Sequence, residues 1–317
     1  MRGIFARASL LALGLSIAAA DPLQAQTTTV YSFLRNDVDA RSAALAGSVV
    51  SLTDDPSLLF YNPASLATLD LSRGSAGFFK HLLDINSGYA VYGQSIGDLG
   101  HAGMGIVYTN YGSFDQTDDL GNTIGTFTAS DLALSLGYGG TLDENLYWGA
   151  AAKFIFSSIA GYHSTGLAGD LGLLYLIPGS KITLGASVRN MGTQLSTYAG
   201  LHEPLPVDLT VGGSIVPRGI PLLLNINLHR LNESADTFGD RFRAFTIGGE
   251  FTLSRVFVLR VGYDNQARKD LQTGPSAGLA GFSAGVGITV SATRVDYALS
   301  SYGAIGSLHR ISVSSSF

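Results

Sequence analysis

From Ser72 to Phe317 the chain repeats one pattern: apolar and polar residues alternate with a period of two, over runs of near ten residues. In Lys181–Asn190, Ile182, Leu184, Ala186 and Val188 alternate with Thr183, Gly185, Ser187 and Arg189. In Leu222–His229, Leu222, Leu224, Ile226 and Leu228 alternate with Leu223, Asn225, Asn227 and His229. Ala244–Leu253 and the stretch around Val295, Tyr297 and Leu299 behave alike. Successive side chains of a strand point to opposite faces, so each run has one apolar face and one small or polar face. Fourteen such runs can be laid out, each about as long as a tilted strand needs to cross a bilayer.

The connections alternate as well. Gly97–Gly100, Gly140–Glu144, Pro178–Ser180, Pro217–Gly219, Ser254–Arg255 and Ala292–Thr293 read as tight turns. Between them fall mostly longer polar loops: Gly112–Phe127, Ile159–Ser164, Met191–Leu205, Leu231–Phe242 and Asn265–Gly278, with the shorter His81–Asp84 and Gly303–Gly306 in the same phase. Short turns on one side and long loops on the other are the mark of a membrane barrel with a periplasmic and an external end. A soluble sandwich shares the residue alternation but does not need the loop alternation.

Composition narrows the solvent. Charged residues are 14% of the chain, against about a quarter in ordinary soluble domains, and mean hydropathy is +0.26. Beyond the N-terminus no stretch offers eighteen consecutive apolar residues. A hydrophobic chain without a spanning helix satisfies its backbone in lipid only as a closed barrel. Tyr138, Tyr147, Trp148 and Tyr175 fall near short-turn ends, and Tyr108, Tyr111, Tyr263 and Tyr302 near long-loop ends, as interfacial aromatic girdles do. The chain closes on the alternating Ile311, Val313, Ser315 and Phe317. A terminal Phe on the last strand is the signal read by the barrel assembly machinery. The expected fold class is therefore all-β: a transmembrane antiparallel β-barrel of about fourteen strands, in the lipid of a Gram-negative-type outer membrane.

The N-terminus fits export. Arg2 and Arg7 precede an apolar run, Ala8–Ala20, interrupted only by Ser9, Gly14 and Ser16, and small residues offer cleavage after Ala20 or Ala25. About thirteen residues make a signal h-region and are too short to span a bilayer as a helix. Residues 1–25 read as a signal peptide, 26–71 as a plug or hatch, and 72–317 as the barrel. In the middle segment Asp39 can cap a short helix over Ala40–Ala46 ended by Gly47, and Val49–Leu52 is a brief extended piece. Asp54-Asp55-Pro56 starts another turn, and Asn62-Pro63 breaks it again. A fourteen-strand barrel is too wide for its strand side chains alone to fill, which suits a compact insert; a tail resting below the barrel is the alternative.

No catalytic or metal constellation stands out. The chain has no cysteine, which excludes disulfides and thiolate chemistry. His81, His101, His163, His202, His229 and His309 include no pair at metal-ligand spacing. Asp118-Asp119 with Gly121-Asn122 reads as a solvated hairpin tip. The formal charge is −5, or −6 once Arg2, Arg7 and Asp21 leave with the signal, and no basic cluster offers itself to nucleic acid. Neither an enzyme activity nor a cofactor is expected. Lys153, Arg189, Asp208, Glu250, Arg260 and Asp296 fall on the polar face of their strands. Charge at membrane depth is costly unless it faces a lumen and finds partners, so these six either line a solute path or pair with one another and with the plug.

Ala40–Gly47, then Asp54-Asp55-Pro56-Ser57, then Phe60-Tyr61-Asn62-Pro63-Ala64-Ser65-Leu66 resemble the opening of FadL-like barrels, and within them the PorV/PorQ family of the type IX secretion system. The matching hatch motif is Asp54, Asp55, Pro56, Asn62, Pro63 and Ala64. The likeness continues through Tyr108-x-x-Tyr111-Gly112-x-Phe114, Gly121-Asn122-x-x-Gly125-Thr126-Phe127 and Leu205-Pro206-x-Asp208, which tilts it to the PorQ-like branch. The resemblance implies a fourteen-strand barrel with a hatch. It implies an accessory role in surface secretion, beside proteins that attach secreted cargo; the alternative is a FadL-like channel for hydrophobic small molecules. The external loops are shorter than those that build a capture site on fatty-acid transporters, which weakens the second implication.

Overall fold

A computed structural model describes residues 29–234, 237–272 and 278–317; the expected signal peptide lies outside them. Fourteen strands form the wall: β1 Arg73–Lys80, β2 Asn86–Ser95, β3 His101–Thr117, β4 Thr123–Asp143, β5 Leu146–Ile159, β6 Tyr162–Leu176 and β7 Ile182–Ser196. Then come β8 Asp208–Ile215, β9 Leu222–Leu228, β10 Phe245–Thr252, β11 Phe257–Asp264, β12 Phe282–Val290, β13 Thr293–Ser301 and β14 Ser307–Ser316. Every neighbour pair is antiparallel, and β1 pairs with β14 to close the barrel. Register across this seam is unbroken from Arg73↔Ser316 to Lys80↔His309.

The two faces separate cleanly. Leu134, Leu136, Leu171, Leu173, Leu224, Ile226, Val261 and Ile311 are exposed, while their sequence neighbours Ser135, Asp170, Gly172, Asn225, Asn227, Arg260 and Ser312 are buried. So much outward apolar surface, continuous round the wall, is a lipid-facing band; water would not tolerate it. No helix among the described residues is long and apolar enough to cross a membrane; the strands cross instead. The protein is a fourteen-strand barrel of the bacterial outer membrane.

One side of the wall is far taller than the other. β3 to β7 run 17, 21, 14, 15 and 15 residues, against 7 to 10 for the other strands. This shortens the loops read at Gly112–Phe127, Ile159–Ser164 and Met191–Leu205: the strands run on into them and leave only 118–122, 160–161 and 197–207 outside the wall. Gly112, Gly121 and Asp118-Asp119 carry loop chemistry, yet Ser113 to Thr117 keep pairing with Thr128 to Thr123, only Ile124 being skipped. Register shifts at Asn110/Ser113 and Gln116/Thr117 absorb the irregular residues as bulges. β5 and β6 are joined by a turn at Ala160 and Gly161 alone, both at positive φ. The loop read as Asn265–Gly278 opens with a helix, Asn265–Asp270.

Residues 30–69 lie against the inner face of the wall. They comprise a 3-10 turn at Ser32–Arg35, helix α1 Ala40–Ala44, and 3-10 turns at Pro56–Phe60 and Pro63–Thr68. α1 is shorter than the Ala40–Ala46 expected, because Gly47 at φ 72 donates its N–H back to the Ser42 carbonyl. Val49–Leu52 is a turn, closed by Leu52 N–H to the Val49 carbonyl, not an extended piece. Val30 and Tyr31 meet Pro204 and Ser164 at the long-loop end, whereas the Leu69 carbonyl meets His101 at the short-turn end. The segment thus runs down the barrel from outside to inside.

The core lies between segment and wall, and glycine sets its thickness. A Cβ at Gly105 would sit 2.5 Å from the Phe60 ring, at Gly139 2.6 Å from the Ala67 nitrogen, at Gly262 2.5 Å from the Ala46 nitrogen, and at Gly285 2.5 Å from the Ala44 methyl. Gly137, Gly149, Gly172 and Gly185 are equally filled, by Leu59, Pro63, Asn62 and Val50. Leu45, Leu59 and Leu66 are wholly buried against these bare patches.

Candidate functional site

The segment is shaped by three capped turns in its own sequence. Asp39 accepts from Ser42 N–H at 3.0 Å, Asp55 from Ser57 N–H at 3.0 Å, and Asn62 from Ala64 N–H at 3.1 Å. Pro56 and Pro63 each follow their cap, where no N–H is needed. Two of these caps also reach the wall or its neighbours. The Asn62 amide donates to the Val50 carbonyl at 2.7 Å and to the Leu173 carbonyl of β6 at 3.1 Å. Asp55 takes Arg41 at 3.2 Å and Arg294 of β13 at 2.9 Å. Asp54, at φ 55, pairs with Arg73 at 3.1 Å, and Ala64 packs on Gly149.

The six charged wall residues fall into two clusters on different sides of the lumen. On β5 to β8, Lys153 pairs with Asp170 at 2.7 Å and donates to the Asn190 side chain at 2.8 Å; Arg189 pairs with Asp208 at 2.5 Å. Arg189 also donates to the Phe60 carbonyl at 3.3 Å and lies over the Tyr61 ring. On β10, β11 and β13, Arg260 bridges Glu250 and Asp296, each at 2.6 Å. Arg41 of the segment grips Glu250 with two nitrogens, at 3.0 and 3.1 Å, and Arg294 holds both Asp55 and Asp296. This second cluster balances three arginines against three carboxylates, which is what permits their burial.

The arginines that complete the cluster were not visible as site residues. Arg294 stands beside a turn and Arg41 sits in a helix, and neither betrays a partner some 200 positions or more away. Asp170 hides in a Gly-Leu run whose alternation is weak. Tyr111, read as a girdle residue, turns inward instead and donates to Asp131 at 2.6 Å; Asp131 also takes the Ser157 hydroxyl, which receives Tyr198.

Chemically the two charged clusters pair and hold; among the described residues the hydroxyl–imidazole contacts of the lumen are His81 with Ser87 at 2.9 Å and those of His229. His229 bonds the Thr246 hydroxyl at 2.9 Å, but stands 4.0 Å from Asp208, whose carboxylate is occupied by Arg189. Thr246 is itself buried. Among the described residues no three His, Asp or Glu are grouped to hold a metal. Space remains at both ends. A cavity of about 170 Å³ at the long-loop end is lined by Asp37, Asp208, His229, Asp264 and Arg310, and one of about 360 Å³ at the other end by Arg41, Thr53, Lys181 and Ser214. Between segment and wall lies a crevice of about 20 Å³, faced by Phe33, Val38, Phe60 and Val107 on its apolar side and by Ser135, Lys153 and Arg189 on its polar side.

The closed wall, the lipid-facing band and an N-terminal segment lying inside define a barrel of FadL-like fold. No family model matches the sequence, and no curated protein does. Solved structures do. The toluene transporter TbuX of Ralstonia pickettii superposes with a TM-score of 0.62 at 14% identity, over 88% of this chain and 98% of that one. The Pseudomonas putida toluene transporter TodX gives 0.57 at 16% identity over 87% and 96%. A Pseudomonas aeruginosa FadL homologue gives 0.55 at 12% identity over 88% and 98%.

Proposed function

We propose that this barrel is a gated conduit for hydrophobic small molecules, with residues 30–69 as the gate. The observation that carries the reading is how the segment is attached. None of its elements joins the fourteen-strand ladder; apart from the backbone bond of Val30 N–H to the Pro204 carbonyl, it is held by ion pairs, hydrogen bonds that involve side chains and packing on glycine. Such a segment can shift without opening the wall, and one side of the crevice beside it is apolar, formed by Phe33, Val38, Phe60 and Val107. The fold shared with hydrocarbon transporters supports the same reading. Expressed in a host lacking its own hydrophobic-solute channel, the protein should raise uptake of a labelled monoaromatic hydrocarbon or long-chain fatty acid. Deleting residues 30–69 should leave an inserted barrel that conducts ions in planar bilayers. No uptake of either solute, with unchanged conductance on deletion, would end this reading.

A second reading, an accessory of surface protein secretion and cargo attachment of the PorV/PorQ kind, is favoured by one observation. The β3–β4 hairpin extends beyond its neighbours, with Ile124, Thr126 and Thr128 exposed on one face and Gly125 and Phe127 half-buried on the other, a surface suited to a protein rather than a small solute. Affinity purification from native membranes that recovers a defined secretion complex, together with loss of surface cargo in a knockout, would favour it over the conduit.

A further inference from the structure

We infer that the outer edge of β3, Ser113–Thr117, receives an extended basic segment of a partner protein as an added strand. Along its lower half β3 is paired on both sides, with β2 as far as Asn86↔Asn110 and with β4 throughout. At Gly112 the β1–β2 loop still covers it, since a Cβ there would lie 3.2 Å from the Asp84 Cβ. Above that point only β4 remains beside it, and Ser113 to Thr117 are all exposed. An unpaired edge offers its free N–H and C=O groups to another chain. This one has no Lys or Pro; Asp115 is its one charge, and the bulges at Asn110/Ser113 and Gln116/Thr117 bound the stretch open to a partner.

The side chains beside the edge describe the occupant. Phe114 stacks on Phe127 with ring centres 5.3 Å apart, on the face that lower down carries Asp131 and Ala133 inward. Asp115 points to the opposite face, and Asp118 and Asp119 crown the tip. From Tyr111 to Ser130 there is no Lys or Arg, and neither the β5–β6 tip, 157–164, nor residues 190–207 supplies one. Hydrogen bonds from the Asn122 side chain and nearby backbone amides hold Asp118 below the usual carboxylate range, so the tip stays charged at neutral pH. A strand laid along this edge would set alternate residues beside Phe114 and beside Asp115. The complementary sequence therefore alternates apolar and basic residues.

A second copy of this chain fits poorly. Two barrels in one membrane share their orientation, so their β3 strands both run outward and would meet in parallel, acid against acid. Five residues of edge bury less than a standard interface, so the contact is a weak one that a second surface would reinforce. The inference does not depend on what crosses the lumen.

The test uses the full-length protein in detergent micelles and a short fluorescent peptide of alternating Val and Lys. Anisotropy should show saturable binding that weakens with salt. Methylating every second backbone amide of the peptide, which keeps its charge, should abolish binding in one of the two phases. Asp115→Lys with Asp119→Lys should weaken binding by roughly tenfold, and should let an alternating Val-Glu peptide bind instead. Both substitutions are solvent-exposed, and unaltered heat-modifiable gel migration will show that the variant is folded. Equal binding of both methylated peptides would reduce the effect to charge alone and overturn the proposal. Absence of binding to the unmodified peptide would overturn it too, as would self-association of the protein that the peptide cannot compete.

Discussion

Replacing Arg41 by Met removes the one cation that the inner segment contributes to the three-carboxylate cluster. Glu250 loses two hydrogen bonds, at 3.0 and 3.1 Å, and Asp55 loses one at 3.2 Å. Each keeps a second arginine, Arg260 at 2.6 Å and Arg294 at 2.9 Å, so the site falls from three against three to two cations against three anions. Breaking a buried pair by removing one partner costs about 3–5 kcal/mol; with half of each carboxylate's partners left, the lower end, about 3 kcal/mol, is expected here. That is roughly two decades in the equilibrium between a seated and a displaced segment. Single-channel recording should show the variant opening far more often than the parent, and proteolysis should cut within residues 30–69 sooner. Removing the stranded charge as well, in Arg41→Met with Glu250→Gln, should recover much of the closed state. If the single variant stays as closed as the parent, or the double variant opens more than the single, the cluster does not hold the segment.

Two further substitutions probe the wall. Gly185→Leu places its side chain into the Val50 carbonyl and should impair assembly, measured as loss of heat-modifiable folded protein, because a packed core has no room for it. Gly125→Ala, which would meet only the Gln116 side chain at 3.7 Å, should be harmless in the same assay. Leu224→Arg, on the lipid-facing side, should cost about 2–4 kcal/mol in a denaturant titration, while loss of stability confined to Asn225→Leu would mean that strand is inside out.

The wall was legible in the sequence because lipid and lumen impose opposite chemistry on neighbouring residues, as in Leu222–Leu228, and period two survives in a single chain. The Asp39 cap and the turns at Asp55-Pro56 and Asn62-Pro63 were legible too, because these side chains act within three positions of themselves. What could not be read is everything decided by depth across the lumen. Lys153 and Arg189 were placed on the polar face, but Asp170 as the partner of Lys153, and Arg41 as that of Glu250, follow from which strands curl to face each other. The tall hairpin was missed for a different reason: Gly112, Gly121 and Asp118-Asp119 punctuate a loop and a bulged strand in the same way.

The glycine lining has a consequence for which substitutions the wall can carry. Residues of the inner segment meet glycine on ten of the fourteen strands, from Gly93 on β2 round to Gly285 on β12. The other four meet it through side chains instead: Arg73 on β1 with Asp54, Asn227 on β9 with the Gly47 carbonyl, Arg294 on β13 with Asp55, and Ser312 on β14 with the Ala40 N–H. A single added methyl group at Gly105, Gly139, Gly262 or Gly285 would press on the segment from a different quarter of the wall. The fit of residues 30–69 is therefore a property of the whole circumference, and one small substitution far from any charged residue is enough to loosen it.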